Sequence, residues 1–330
     1  MPGLAGIIGK GETNRRDLEE MVKAMRHESF YGSGTYVDEG QGVFVGWTVH
    51  PGSYSDCLPI TNEDRKVTLF FSGEHFADRS DYDALKNRGH AVNRLDASAL
   101  VHLYEEGGLD FLRKLNGWFH GLLVDQRSDL VALFNDRFGM QRLYYYEEPD
   151  RILFASEAKA ILRVRKELRS LDPQSLGEFL VCDCVLQNRT LFSKLRTLPG
   201  ASCWTFRAGT LLKKKAYFAA QEWEEQPGLE SEELFEKLYQ ILPGMVARYL
   251  EPDLPVAYTG GDSSRVTVTR REVQITVSVE ILDQKQGKAL WQRNGLVVRG
   301  DYDSGQEAEG RRKALDDLVV NIVDGAQSQW

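Results

Sequence analysis

Apolar positions recur along this chain with two distinct periods. In RRDLEEMVKAMRH the apolar residues Leu18, Met21, Val22 and Met25 fall at helical spacing, which predicts an amphipathic helix. The runs LAGIIG, GVFVGWTV and VTLFFSGE read as buried strands. ASALVHLYEEGG reads as a helix stopped at Gly107 and Gly108. Two hairpins follow: GLLVDQRSDLVALFNDRFG turns across Asp125 to Asp129, and RLYYYEEPDRILFAS bends at Pro149-Asp150. Their apolar faces need a second sheet or a helix layer to pack against.

The texture changes after residue 165. DPQSLGEFL predicts a helix with Asp172 as N-cap and Pro173 in its first turn. TLPGASCWTFRAGTLLKKKAYF reads as strand, turn, strand, and QEWEEQPGLESEELF as an acidic linker into the helix SEELFEKLYQILPGMVARYL. Ser231 caps that helix without a full capping box, since Leu234 stands where Glu is wanted. From Asp262 the period is two: Val266, Val268, Val273, Ile275, Val277, Val279 and Ile281 mark a long half-exposed strand. GKALWQRNGLVVRGDY is its partner across Gln286-Gly287, and an amphipathic helix, QEAEGRRKALDDLVVNIVDGAQSQW, closes the sequence. Three parts are expected: 1–165, 166–261 and 262–330, with no fixed-period repeat.

Composition narrows the function. The 330 residues carry 41 Lys and Arg against 49 Asp and Glu, a net charge of −8. That sign argues against nucleic acid or an anionic membrane as partner. No apolar stretch reaches the ~20 residues of a membrane span, and no signal-peptide pattern opens the sequence. The cysteines, Cys57, Cys182, Cys184 and Cys203, form no C-x-x-C pair, so a reduced, cytoplasmic setting is expected. Cys182 and Cys184 read as ordinary core cysteines and Cys57 as a small buried hydrophobe. His27, His50, His75, His90, His102 and His120 show no metal-ligand spacing, so packed or solvated histidines and no metal are expected. Tyr144–Tyr146 reads as sheet packing and Lys213–Lys215 as a solvated strand end.

A series of motifs in one order carries more: MPGLAGIIG, MRHESFYGSG, FFSGEHF, LDAS, LNGWFHGLLVD and LFNDRFGMQRLYYY…FASEAKAIL. It resembles the N-terminal class II glutaminase domain of glutamine-hydrolysing asparagine synthetases. The resemblance covers about residues 1–165, and SLDPQSLGEFL…TLPGASCWTF extends it, as a connector, to about residue 261. It implies an α+β fold, the αββα sandwich of the Ntn hydrolases. It implies ATP-dependent transfer of the glutamine amide to aspartate, with ATP and magnesium as the family's cofactors and glutamine as ligand.

The resemblance also locates losses. The family's nucleophile is a cysteine at position 2, where this chain has Pro2. A proline has no thiol, so no acyl-enzyme forms from it. The arginine that clamps the glutamine carboxylate is missing from Gly46 to His50, and the NGE motif of the oxyanion hole reads Ser72-Gly73-Glu74. Glu74 and Asp96 keep their places, with implied roles in holding the substrate amine. Loss of one oxyanion donor costs about 10²–10³ in rate, so no glutaminase activity and no bound cofactor are expected. Glutamine remains as a weak ligand, and a homo-oligomer is compatible with the sequence. PVAYTGGDSSRVT resembles the family's SGGxDS pyrophosphate loop through Thr259, Gly260, Gly261, Asp262, Ser263 and Ser264. A β-branched stretch follows where a helix should stand, which favours a plain glycine turn. The last 65 or so residues are similar to LPS-assembly lipoproteins of the LptE type, resting on strand–strand–helix order and the LW…EGRRKAL…W ending. Two partial sequences joined near Gly261 account for both resemblances. The competing expectation is a non-enzymatic scaffold or binding protein.

Overall fold

The computed structural model describes residues 3–250, 271–283, 288–302 and 307–327. Pro2, the stretch Thr259, Gly260, Gly261, Asp262, Ser263 and Ser264, and the Gln286-Gly287 turn lie outside the described residues. The chain divides into two units, Met1–Glu225 and Gln226–Trp330.

The strands of the first unit are β1 (Gly3–Gly9), β2 (Gly32–Asp38), β3 (Val43–Val49), β4 (Ile60–Thr61), β5 (Val67–His75), β6 (Gly117–Asp125), β7 (Leu130–Asn135), β8 (Tyr144–Glu148), β9 (Arg151–Ala155), β10 (Arg196–Thr197), β11 (Ser202–Arg207) and β12 (Thr210–Ala216). Its helices are α1 (Asn14–Met25), α2 (Arg79–Asn87), α3 (Leu100–Gly107), α4 (Phe111–Lys114), α5 (Ala158–Val164), α6 (Pro173–Cys182) and α7 (Gln221–Glu224). The strands form two antiparallel six-stranded sheets, ordered β10-β8-β9-β1-β3-β2 and β12-β11-β7-β6-β5-β4.

Three apolar layers explain the stacking. Between the sheets, Leu4, Ile8, Val45 and Trp47 of the first meet Phe70, Leu122, Leu133 and Phe206 of the second. Outside the first sheet, Leu18, Met21, Val22 and Met25 of α1 cover Ala5, Ile7 and Leu153, together with Ile161 of α5. Outside the second, α3 and α4 lay Leu100, Leu103, Phe111 and Leu112 over Leu69, Phe71 and Phe134. The result is helix, sheet, sheet, helix, the αββα arrangement expected of the sequence. At Gly6 a Cβ would stand 2.4 Å from the ring of Phe154, so the glycine admits that ring to the core.

Two expectations change. Residues taken for a connector complete both sheets, since β10 pairs with β8 and β11 with β7. Cys182 and Cys184 are exposed rather than in a core. Nothing described covers the end of α6, where Leu180 and Val181 are 75% and 85% exposed. Tyr145 packs edge-on against Trp204, as read, and Cys203 is buried. The lysines of β12 are exposed along the open edge of the second sheet.

The second unit holds α8 (Ser231–Leu250), β13 (Arg271–Asp283), β14 (Lys288–Tyr302) and α9 (Glu307–Gln327). β13 and β14 pair antiparallel from Arg271↔Tyr302 to Asp283↔Lys288. Ile275, Leu296 and Val298 pack on Ala314, Leu318 and Ile322 of α9, which gives this unit its own core. Among the described residues no helix is long and apolar enough to cross a membrane.

Candidate functional site

The head of β1 is pinned from both sides. Gly3 lies opposite Thr48 of β3, and Ser156 reaches back from the end of β9. The Leu4 N–H donates to Ser156 Oγ at 2.7 Å, and the Ser156 N–H donates to the Leu4 carbonyl at 2.8 Å. His120 Nε2, on β6, stands 2.7 Å from the same Oγ. Burial pushes the His120 imidazolium down to about 4, with the Gln141 backbone acting the other way. The ring is therefore neutral at pH 7, and the network is a set of neutral hydrogen bonds.

The predicted residues Ser72, Gly73 and Glu74 end β5, opposite His120, Phe119 and Trp118 of β6. Gly73 has φ +123°, and a Cβ there would lie 2.1 Å from the Trp118 carbonyl oxygen, so only glycine fits. Asp96 caps the short 3₁₀ turn Ala97–Ala99, accepting from Ser98 N at 2.9 Å and from Asn93 Nδ2 at 2.5 Å. The loop 51–59 joins the two places: Ser55 Oγ donates to the Gly73 carbonyl at 3.3 Å, and Ala97 N–H donates to the Tyr54 carbonyl at 2.9 Å. Structure thus brings Ser72–Glu74 and Asp96 to the same loop. Gly46 to His50, the end of β3, leads into that loop and offers no guanidinium.

The charges differ sharply. Glu74 is half-buried, and burial alone raises its carboxyl above the usual range. Among the described residues its carboxylate has no hydrogen-bond or ion-pair partner. Cys57, in the same loop, is half-buried; burial, with the Asp96 charge adding to it, pushes its thiol up to about 11. It stays protonated at pH 7 and is not an activated nucleophile.

The motif Asn135-Asp136-Arg137-Phe138-Gly139, read as a family signature, has a structural task that the sequence did not disclose. The buried Asp136 carboxylate accepts from the backbone N–H groups of Phe119, Phe138, Met140 and Gln141 at 2.9–3.2 Å. Asn135 donates to the Leu198 carbonyl and accepts from Ser202 N. A cleft of about 640 Å³ lies beside this turn, lined by Phe138, Arg142, Phe179 and Arg189, and includes none of the predicted site residues.

Comparison with known proteins agrees with the motifs. Residues 1–218 match the family described as a glutamine amidotransferase domain. The chain is 25% identical over 285 residues to an asparagine synthetase (glutamine-hydrolyzing) 1 of Bacillus subtilis, a match covering 82% of this chain and 44% of that one. It is 26% identical over 306 residues to the synthetase numbered 2 of the same organism, covering 86% and 40%. A solved glutamine phosphoribosylpyrophosphate amidotransferase from B. subtilis is 14% identical with a TM-score of 0.47, covering 66% of this chain and 49% of that one. The chain spans less than half the length of these two synthetases. The family match takes in more than half of the sequence, and the chain belongs to the glutamine amidotransferase domain family.

Proposed function

We propose that the first unit binds glutamine, or a similar amino acid, without hydrolysing it. The observation that carries the reading is Glu74: a half-buried carboxylate, raised by burial, with no cationic partner among the described residues, at the end of β5 beside the same loop 51–59 that contacts the Asp96 turn. An α-ammonium group supplies the missing charge. Turnover lacks its parts. Pro2 offers no thiol, and Cys57 is held protonated by burial. Ser156 is tied to both sides of Leu4. By descent the reaction would be the ATP-dependent amide transfer to aspartate of the asparagine synthetases; this chain is proposed to be an inactive relative, with no cofactor of its own.

Isothermal titration of the full chain with glutamine, paired with an ammonia-release assay, tests this. Binding with release at background is expected, with about tenfold weaker binding for Glu74→Gln. Ammonia above background, or labelling of the amino end by a glutamine-mimicking electrophile, overturns the inactivity; no heat of binding overturns the ligand assignment. The second reading, a non-enzymatic scaffold or LPS-assembly-related module, draws on the separate core of the second unit. It predicts that glutamine leaves the melting temperature unchanged.

A further inference from the structure

Three segments of the first unit converge on a cluster away from the Glu74 loop. Glu63 lies between β4 and β5, His90 follows α2, and His102 and Glu105 stand one turn apart on α3. One donor atom from each of these four lies within 4.8 Å of the others. The two imidazoles stack, with centroids 4.5 Å apart and planes at 27°.

The ring nitrogens divide into two kinds. One nitrogen of each ring is held by a carboxylate: His102 Nδ1 is 3.0 Å from Glu105 Oε2, and His90 Nε2 is 3.1 Å from Glu106 Oε1. The other two, His90 Nδ1 and His102 Nε2, face a single oxygen, Glu63 Oε1, at 3.8 and 3.9 Å. These separations are too long for hydrogen bonds. They are near what a shared ion requires: donors about 2.0–2.2 Å from zinc stand roughly 3.3 Å apart in a tetrahedral site. The Glu63 side chain is 63% exposed and has room to close the difference, whereas the His102 and His90 side chains are only 8% and 17% exposed. The outer carboxylates repeat the way proteins orient metal-bound imidazoles, by holding the far nitrogen.

Charge favours a cation as well. Arg88 pairs with Glu106, and Arg127 approaches Glu105 at 3.4 Å. Glu63 has no Lys or Arg partner among the described residues, so the cluster keeps an unmatched negative charge.

We propose that Glu63, His90 and His102 form a binding site for a first-row divalent cation of the zinc type, with Glu105 and Glu106 orienting the two imidazoles and a fourth position left to water. The ion would staple the β4–β5 turn to α2 and α3, and the site is independent of glutamine.

The test is titration of the untagged, metal-stripped full chain with zinc chloride, carried in a Cys182→Ser, Cys184→Ser background to remove two exposed thiols as competing ligands. One ion per chain with micromolar or tighter affinity is expected. His90→Gln with His102→Gln should weaken binding at least 100-fold, and Glu105→Gln about 10-fold. Should the double variant fail to fold, His90→Gln alone, in the segment after α2, is expected to lose at least 10-fold. X-ray absorption of the zinc-loaded protein should show nitrogen and oxygen neighbours with imidazole scattering. No binding, affinity unchanged by His90→Gln, or sulfur neighbours would overturn the site.

Discussion

The interior between the two sheets and the rim that it supports differ in how loss is tolerated. The interior draws on strands of both sheets, from Leu4 and Trp47 to Phe70 and Phe206, so no single side chain defines it. The proposed site, by contrast, rests on a handful of groups: the end of β3, Ser72 to Glu74 at the end of β5, and Asp96. If the proposed loss of activity holds, this domain keeps its amidotransferase architecture without the reactive sulfur. Stability is distributed over many apolar contacts, whereas chemistry is concentrated in a few atoms.

Three measurements press on that contrast. The largest effect should come from Phe70→Ala. Phe70 is fully buried, 5.3 Å from the ring of Tyr36 and 5.6 Å from that of Trp47. Its truncation should cost about 3–5 kcal/mol in urea unfolding; a loss below 1 kcal/mol would mean that the interior repacks freely. Next is the pH dependence set by His120. Its folded imidazole titrates near 4, below the ordinary 6.5, so the unfolded chain takes up the proton first. Stability is then fully present above about pH 6.5 and falls between there and about 4, by about 3 kcal/mol. His120→Gln should flatten this slope, and an unchanged slope would assign it to other groups. The smallest effect is expected of Ser156→Ala, about 1 kcal/mol for the lost hydrogen bonds to Leu4 and His120. A loss above 3 kcal/mol would show the head of β1 to be the weakest point of the sandwich.

The sequence disclosed elements wherever periodicity and turn chemistry agreed. The β6–β7 hairpin turns at Asp129, with φ +53°, and the Asp172 cap of α6 accepts from Ser175 N as its type suggests. β2 was not legible because GSGTYVD carries two glycines on an edge strand, with little apolar alternation. The sheet membership of β10 and β11 depends on pairing with strands some 50–70 residues earlier, which no local pattern encodes. The motifs point to positions 72–74 and 96, whereas Glu74's lack of a partner among the described residues is a property of its surroundings that no motif carries. The Glu63, His90 and His102 cluster escaped for a related reason: its members come from three segments, so no fixed spacing links them.

The row of lysines on β12 has a consequence beyond this one chain. Lys213, Lys214 and Lys215 lie on a strand whose outer side pairs with no other strand among the described residues. Such a margin invites another molecule to add itself strand by strand, and a fibre could grow that way. Lys214 is paired with Glu147 and lies over Trp204, so the charge facing that edge comes from Lys213 and Lys215; repulsion between their ammonium groups opposes such templating, and replacing both with threonine should increase self-association as concentration rises.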